Sequence, residues 1–284
     1  MNKKLTFCAL LLGCCVAFTV FTACGDDNDE SPVAPNAALE KAFSDRYPEA
    51  GRPLWETKGT MAVAEFSIGG YEADAWFDMS GQWVLTETDV PFAALPEAVR
   101  KGVAESPYAD WKVEDVDKLE RPEAATVYRI EVEKGETEKD LYYDENGMLF
   151  KEVTDEQGEN GTTPPAQLPQ AAKSRIEALY PGAIILEYEV EKQGLEVDIV
   201  HDKRYKEVVF SADGASWLFT EWDLTEAELP AAVKTALQTP DYANWQIDDI
   251  DCIEKPTGVF FKIELEQGNR DREVMFGEDG VVVI

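Results

Sequence analysis

The sequence predicts an α+β protein: four repeats of a helix followed by about four antiparallel strands, paired into two halves. Three observations carry that prediction. Four segments end an apolar strand on an aromatic residue and turn through a tetrapeptide closing on Gly81, Gly147, Gly214 or Gly280, spaced 66, 67 and 66 residues apart. Apolar stripes at i, i+4, i+8 recur in step with those turns, as short amphipathic helices require. Between stripe and turn the apolar period switches to two, the pattern of antiparallel strands with one packed and one wet face.

Taken in order, residues 1–23 read as an export signal: Lys3 and Lys4, an apolar run from Leu5 to Phe21, then small residues. Phe21-Thr22-Ala23-Cys24 resembles a bacterial lipobox, so Cys24 is the expected lipidation site. Residues 24–36 read as an acidic tether, in which Gly25 to Glu30 is a solvated spacer that cannot fold alone. Residues 37–153 hold the first half. Leu39, Phe43 and Tyr47 mark its first helix, stopped by Pro48, and Phe77 leads into the turn Asp78-Met79-Ser80-Gly81. Leu95, Val99 and Val103 mark the second helix, opened by Pro96 and followed by Pro107. Tyr128, Ile130 and Val132 then alternate with Arg129, Glu131 and Glu133 ahead of Asp144-Glu145-Asn146-Gly147.

Residues 154–165 have linker composition, with Gly, Pro and polar residues and no apolar period. The second half, residues 166–284, repeats the scheme. Its helices are marked by Leu168, Ala172 and Ile176 and by Leu229, Val233 and Leu237. Its strands show Leu195, Val197 and Ile199 against Glu196 and Asp198, then Val259, Phe261, Ile263 and Leu265 against Phe260, Lys262 and Glu264. Leu95-Pro96, Tyr108-Ala109, Trp111, Asp115, Asp117 and Pro122 recur 134 positions later as Leu229-Pro230, Tyr242-Ala243, Trp245, Asp249, Asp251 and Pro256. Since each half has its own helices, strands and turns, each is expected to complete its own core and fold alone.

A chain of such paired units resembles the PepSY-like, beta-lactamase-inhibitor-like family of Bacteroidetes exported lipoproteins. Tyr47-Pro48 and Tyr180-Pro181 after the helices, Trp55, and the Phe-Asp-x-x-Gly-x-Trp turn from Phe77 to Trp83 carry the resemblance, which covers nearly all of residues 37–284. It implies beta-lactamase-inhibitor-protein-like halves, each an eight-stranded curved sheet with helices behind it and a polar face that binds. It carries over no target-binding residue. The acidic tract behind Cys24 resembles the export signal of surface lipoproteins, so the expected location is the outer membrane, at the cell surface or the periplasmic face.

Charge narrows the partners. The 284 residues include 26 Lys+Arg and 57 Asp+Glu, a formal charge of −31, and losing Lys3 and Lys4 with the signal makes it −33. That excludes nucleic acid, whose binders neutralise phosphate, and leaves the lipid as the membrane contact. A protein with a basic surface is the expected partner, approaching faster at low salt. Of five Cys, three leave with the signal and Cys24 takes lipid, so Cys252 has no disulfide partner.

Catalytic chemistry finds little to stand on. His201 is the sole imidazole and reads as an exposed turn residue, and Cys252 as a bystander. The acidic stretches Asp248 to Asp251 and Asp144 to Gly147 do not follow an EF-hand ligand ladder. No catalytic residue, metal or cofactor is expected. Trp76 alternates with Glu72 and Asp74, and Phe260 with Lys262 and Glu264, so both are candidates for the wet face, with edge packing or contact between the two halves an equally good explanation. Together with Glu131 and Glu264 they are the candidate partner-binding residues, apolar anchors ringed by charge. The expected function is a non-enzymatic binding or inhibitory module. A structural component of an envelope assembly is the second reading, and a carboxylate hydrolase the third.

Overall fold

The computed structural model describes residues 31–32, 34–154 and 165–283. The signal, Cys24 with the start of the tether, and most of the linker lie outside the described residues. β1 (Ser31–Pro32) precedes α1 (Ala37–Arg46), followed by β2 (Leu54–Lys58), β3 (Met61–Ile68), β4 (Tyr71–Asp78) and β5 (Trp83–Asp89). Next come α2 (Glu97–Glu105), β6 (Lys112–Glu120), β7 (Val127–Lys134), β8 (Thr137–Asp144) and β9 (Leu149–Thr154). The second half runs α3 (Gln170–Leu179), β10 (Ile184–Glu191), β11 (Gly194–His201), β12 (Arg204–Phe210) and β13 (Trp217–Asp223). It continues with α4 (Ala231–Leu237), β14 (Gln246–Lys255), β15 (Gly258–Glu266) and β16 (Asp271–Gly277).

Consecutive strands pair antiparallel into a nine-stranded sheet, β1 to β9, and a seven-stranded sheet, β10 to β16. Neither has the eight strands expected. β1 adds one to the first sheet, and α4 is followed by three strands and a single bridge from Phe276 to Val282.

The helices form where their stripes meet a sheet. Asn36 Oδ1 caps α1, accepting from the N–H groups of Ala38 and Leu39 at 2.8 and 3.0 Å. Pro96, Pro169 and Pro230 lead into α2, α3 and α4 with φ already restricted. Leu39 and Phe43 pack on Ala62, Ala64, Ala75 and Phe77, and Val99 and Val103 on Ile130, Val132 and Leu141. Ala172 and Ile176 cover Val197 and Ile199, and Val233 covers Ile263 and Phe276.

The glycine turns press each hairpin against its helix. Asp144 Oδ1 closes one, accepting from the N–H groups of Asn146 and Met148 at 2.9 and 2.8 Å. Gly147 completes it at φ 82°, and a Cβ there would overlap the Ala98 carbonyl oxygen of α2. Gly280 meets Ala232 of α4 in the same way. Gly147→Ala therefore faces both a left-handed backbone and a backbone clash, and should lower stability by roughly 2–4 kcal/mol in urea denaturation. A loss below about 0.5 kcal/mol would mean that the turn is free to shift.

A fifth core joins the halves. Val63, Trp76, Leu85, Leu119 and Val127, all on the helix-free face of the first sheet, pack with Leu186 of β10, and Val200 and Tyr205 of the second sheet lie against them. The halves thus share a core, contrary to the expectation that each completes its own. Trp76, a candidate for a wet face or for contact between the halves, is 1% exposed and makes that contact, so it is no exposed anchor. Its face was legible, since it stands opposite Ala75 and Phe77, but the second half covers that face. Tyr142, Phe150 and Tyr205 extend the contact as a chain of tilted rings with centroids 6.3 and 5.6 Å apart. The loop between β6 and β7 fastens it: Arg121 pairs with Glu187 at 2.8 Å, and the Ala125 N–H donates to the Ile185 carbonyl at 2.8 Å.

Candidate functional site: the helix-free sheet faces

Each sheet turns one face to its helices and the other away from them. On each helix-free face a cation sits between two acids from neighbouring strands. Arg129 of β7 donates to Asp117 Oδ2 through Nη2 and Nε at 2.6 and 3.2 Å, and Glu87 lies 3.9 Å away. Lys262 of β15 pairs with Glu221 at 2.8 Å and Asp251 at 2.7 Å. Burial alone would lower the Lys262 ammonium, but hydrogen bonds to Asp251 and Glu221 outweigh it and hold it above the ordinary lysine range. Glu87 and Asp117 recur as Glu221 and Asp251 at a spacing of 134, and Arg129 as Lys262 at 133. That recurrence was a usable signal, but only strand register shows which acids share a cation.

Apolar side chains run beside both triads. In the second sheet, Val209 pairs with Phe219, and Ile253 with Phe260, while Met275 stands opposite Lys262. Phe219, Phe260 and Met275 are half-buried on this helix-free face. Glu264 is exposed on the same face, paired in register with Asp249 and Glu273. Glu131 is half-buried on the corresponding face of the first sheet, its carboxyl raised by burial and by Asp140, Glu138 and Asp115. The repeat counterparts of Val209, Phe219, Ile253, Phe260 and Met275 are Trp76, Leu85, Leu119, Val127 and Tyr142, the residues packed in the shared core. Trp76 is thereby separated from the other three candidates. Its indole N–H donates to Glu87 Oε2 at 2.8 Å, inside the molecule.

Where the halves meet, acids crowd one cation. Lys151 of β9 hydrogen-bonds Glu189 and lies near Glu187 and Asp198, with Glu196 and Glu207 alongside. Asp198 is 2% exposed, accepts from the Tyr205 hydroxyl at 2.9 Å, and is raised well above the carboxylate range by burial. Burial, with Glu196 adding, lifts Glu207 to about 7. A carboxyl whose folded pKa exceeds its unfolded one binds its proton more tightly in the folded state, so stability rises as pH falls through the folded value. The denaturation midpoint should therefore be higher at pH 6 than at pH 8, and Glu207→Gln should flatten that slope. An unchanged slope would place the effect elsewhere.

The beta-lactamase-inhibitor-like, PepSY-like family matches residues 61–151, 155–204 and 201–283. The chain belongs to this family. The chain is similar to several solved structures. A BLIP-like protein from Bacteroides fragilis is 35% identical, covering 47% of this chain and 96% of its own, with a TM-score of 0.45. A DUF2874 family protein from Bacteroides ovatus is 27% identical over 46% of this chain and 99% of its own, with a TM-score of 0.42. Another from Bacteroides uniformis is 26% identical over 43% and 90%, with a TM-score of 0.41. No curated protein matches the chain.

The reactive side chains of this PepSY-like chain lie apart from its helix-free faces. Cys252 is a free thiol buried in the α4 core, and burial pushes it up to about 12, so it is protonated at neutral pH. Burial lowers Lys206 to about 8, with its ammonium 3.1 Å from the centroid of the Trp222 ring. His201 ends β11 half-buried beside Tyr180, with ring centroids 5.5 Å apart, rather than exposed in the following turn. Among the described residues, no three His, Cys, Asp or Glu side chains are grouped to hold a metal ion. No helix among them is long and apolar enough to cross a membrane.

Proposed function

We propose that this PepSY-like chain is a non-enzymatic, exported lipoprotein held at the outer membrane through Cys24. Its four units are read as tandem copies, and it binds a protein through the helix-free face of its second sheet. One observation carries this reading. The counterpart face in the first half already holds a folded protein surface, whereas Phe219, Phe260 and Met275 in the second half remain half-buried beside the Lys262 triad. Glu221, Asp223, Asp249, Asp251, Glu264 and Glu273 surround that apolar strip, so the partner is apolar at its centre and basic at its rim.

The test is a pull-down from the envelope with the lipid-free chain as bait and Phe260→Asp as the paired bait. A partner held by the native bait, recovered about tenfold less on the variant and released as salt rises, supports the reading. Equal recovery on both baits, or binding insensitive to salt, overturns it.

A further inference from the structure

A cross-strand pair carries the second half's side of the shared core. Val200 of β11 and Tyr205 of β12 pair in register at the end of their hairpin. With Leu186 of β10 they pack on the cluster of Val63, Trp76, Leu85, Leu119 and Val127 in the first sheet. The Tyr205 ring lies 5.6 Å from that of Phe150, and its hydroxyl donates to Asp198 at 2.9 Å. The helix-free face of one PepSY-like half thereby holds the hairpin end of another.

The second sheet repeats the holding face. Val209, Phe219, Ile253 and Phe260 stand for Trp76, Leu85, Leu119 and Val127 at spacings of 133 or 134, and the Lys262 triad stands for the Arg129 triad. Leu85 and Val127 are 4% and 0% exposed in the shared core, whereas Phe219 and Phe260 are half-buried. Two features differ. Glu196 stands for Val63 and lies near Lys151 of the first half, so the apolar strip begins at β12. The β14–β15 connection closes as a tight turn, with Lys255 and Gly258 paired in register, where the β6–β7 loop reaches out to Ile185 and Glu187. A body docked on the second face is held by the strip and its charges, without that fastening loop.

We propose, resting on the protein-binding reading of this face, that its partner is a PepSY-like half of another protein. That half lays a hairpin end on Phe219 and Phe260, with apolar side chains at the places of Val200 and Tyr205. A second copy of this chain does not fit. Its β11–β12 hairpin end is already seated on its own first sheet. The counterpart in its first half carries Ser67 and Glu72, exposed and paired in register, with Pro53 in place of Leu186. Glu72 would enter a face that already holds Glu221, Asp251 and Glu264, and like charges there oppose docking.

The test writes the hairpin end into this chain. Ser67→Val with Glu72→Tyr rebuilds it at exposed positions, and Glu65, which stands for Asp198, offers the new hydroxyl a carboxylate. In sedimentation equilibrium the lipid-free grafted chain should self-associate at concentrations about tenfold below any association of the native chain, a difference of about 1.4 kcal/mol. Adding Phe260→Asp should return it to native behaviour. A urea midpoint close to the native one shows that the graft is folded. If it is not, a cyclised peptide of residues 197–208 replaces it as the probe, and should bind the native chain about tenfold more tightly than the Phe260→Asp chain. A folded graft no more associated than the native chain, association that Phe260→Asp leaves intact, or equal binding of the peptide to both chains overturns the proposal. So does self-association of the native chain through Phe260, which would give the face to a second copy. An envelope partner still lost on Phe260→Asp would then keep the protein-binding reading and put a different kind of protein on the face.

Discussion

Trp76→Ala should destabilise the protein by about 3–5 kcal/mol, the cost of emptying a large buried aromatic site. The indole lies between Val63, Leu85, Leu119 and Val127 of its own half and Leu186 of the other, and its N–H supplies Glu87 with a hydrogen bond. Truncation therefore opens a cavity in the shared core and removes a donor from a part-buried carboxylate. Phe260, half-buried on the corresponding face of the second sheet, is the control. Phe260→Ala should cost about 1 kcal/mol or less, as a half-exposed site allows. Urea denaturation of both variants measures the difference. If Trp76→Ala cost no more than Phe260→Ala, the halves would not be docked in solution. A docked pair also predicts one unfolding transition for the whole chain, which splits in two once Trp76 is lost.

Arg121→Ala should cost about 3–5 kcal/mol for a different reason. The Arg121 and Glu187 side chains are 10% and 6% exposed, so removing the guanidinium strands a carboxylate away from water. The pair is not itself a strong source of stability, because both ions lose hydration on burial, and Arg121 Nε and Glu187 Oε2 are left without a partner. The double variant Arg121→Met with Glu187→Leu should accordingly lie within about 1 kcal/mol of the native chain, or above it. A double-mutant cycle in urea checks both statements. A double variant as unstable as Arg121→Ala would mean that the loop depends on the charges for its placement.

Helices, strands and turns were legible because each is written in local chemistry. The stripe Leu39, Phe43, Tyr47, the alternation through Ile130, and the aspartate and glycine at Asp144 and Gly147 are consequences of backbone period and turn geometry. The faces of Phe260, Glu131 and Glu264 followed from the same period of two. Strand number was less legible, since alternation does not tell how long an edge strand keeps a partner.

What covers each face was decided only by tertiary structure. Trp76 and Leu186 are 110 residues apart, and nothing in either strand's pattern distinguishes a wet face from one that another body will cover. The one local trace is in the β6–β7 loop, where the spacing between halves slips from 134 to 133. Pairing of β6 with β7 stops at Leu119 and Val127, whereas β14 and β15 pair on to Lys255 and Gly258. The freed residues reach β10 and fasten one half to the other. The sequence by itself thus determined the units, their order and the side of the sheet on which each residue stands. Docking decided which of two equivalent faces is core, because it sums apolar and ionic contacts between residues that no local period connects.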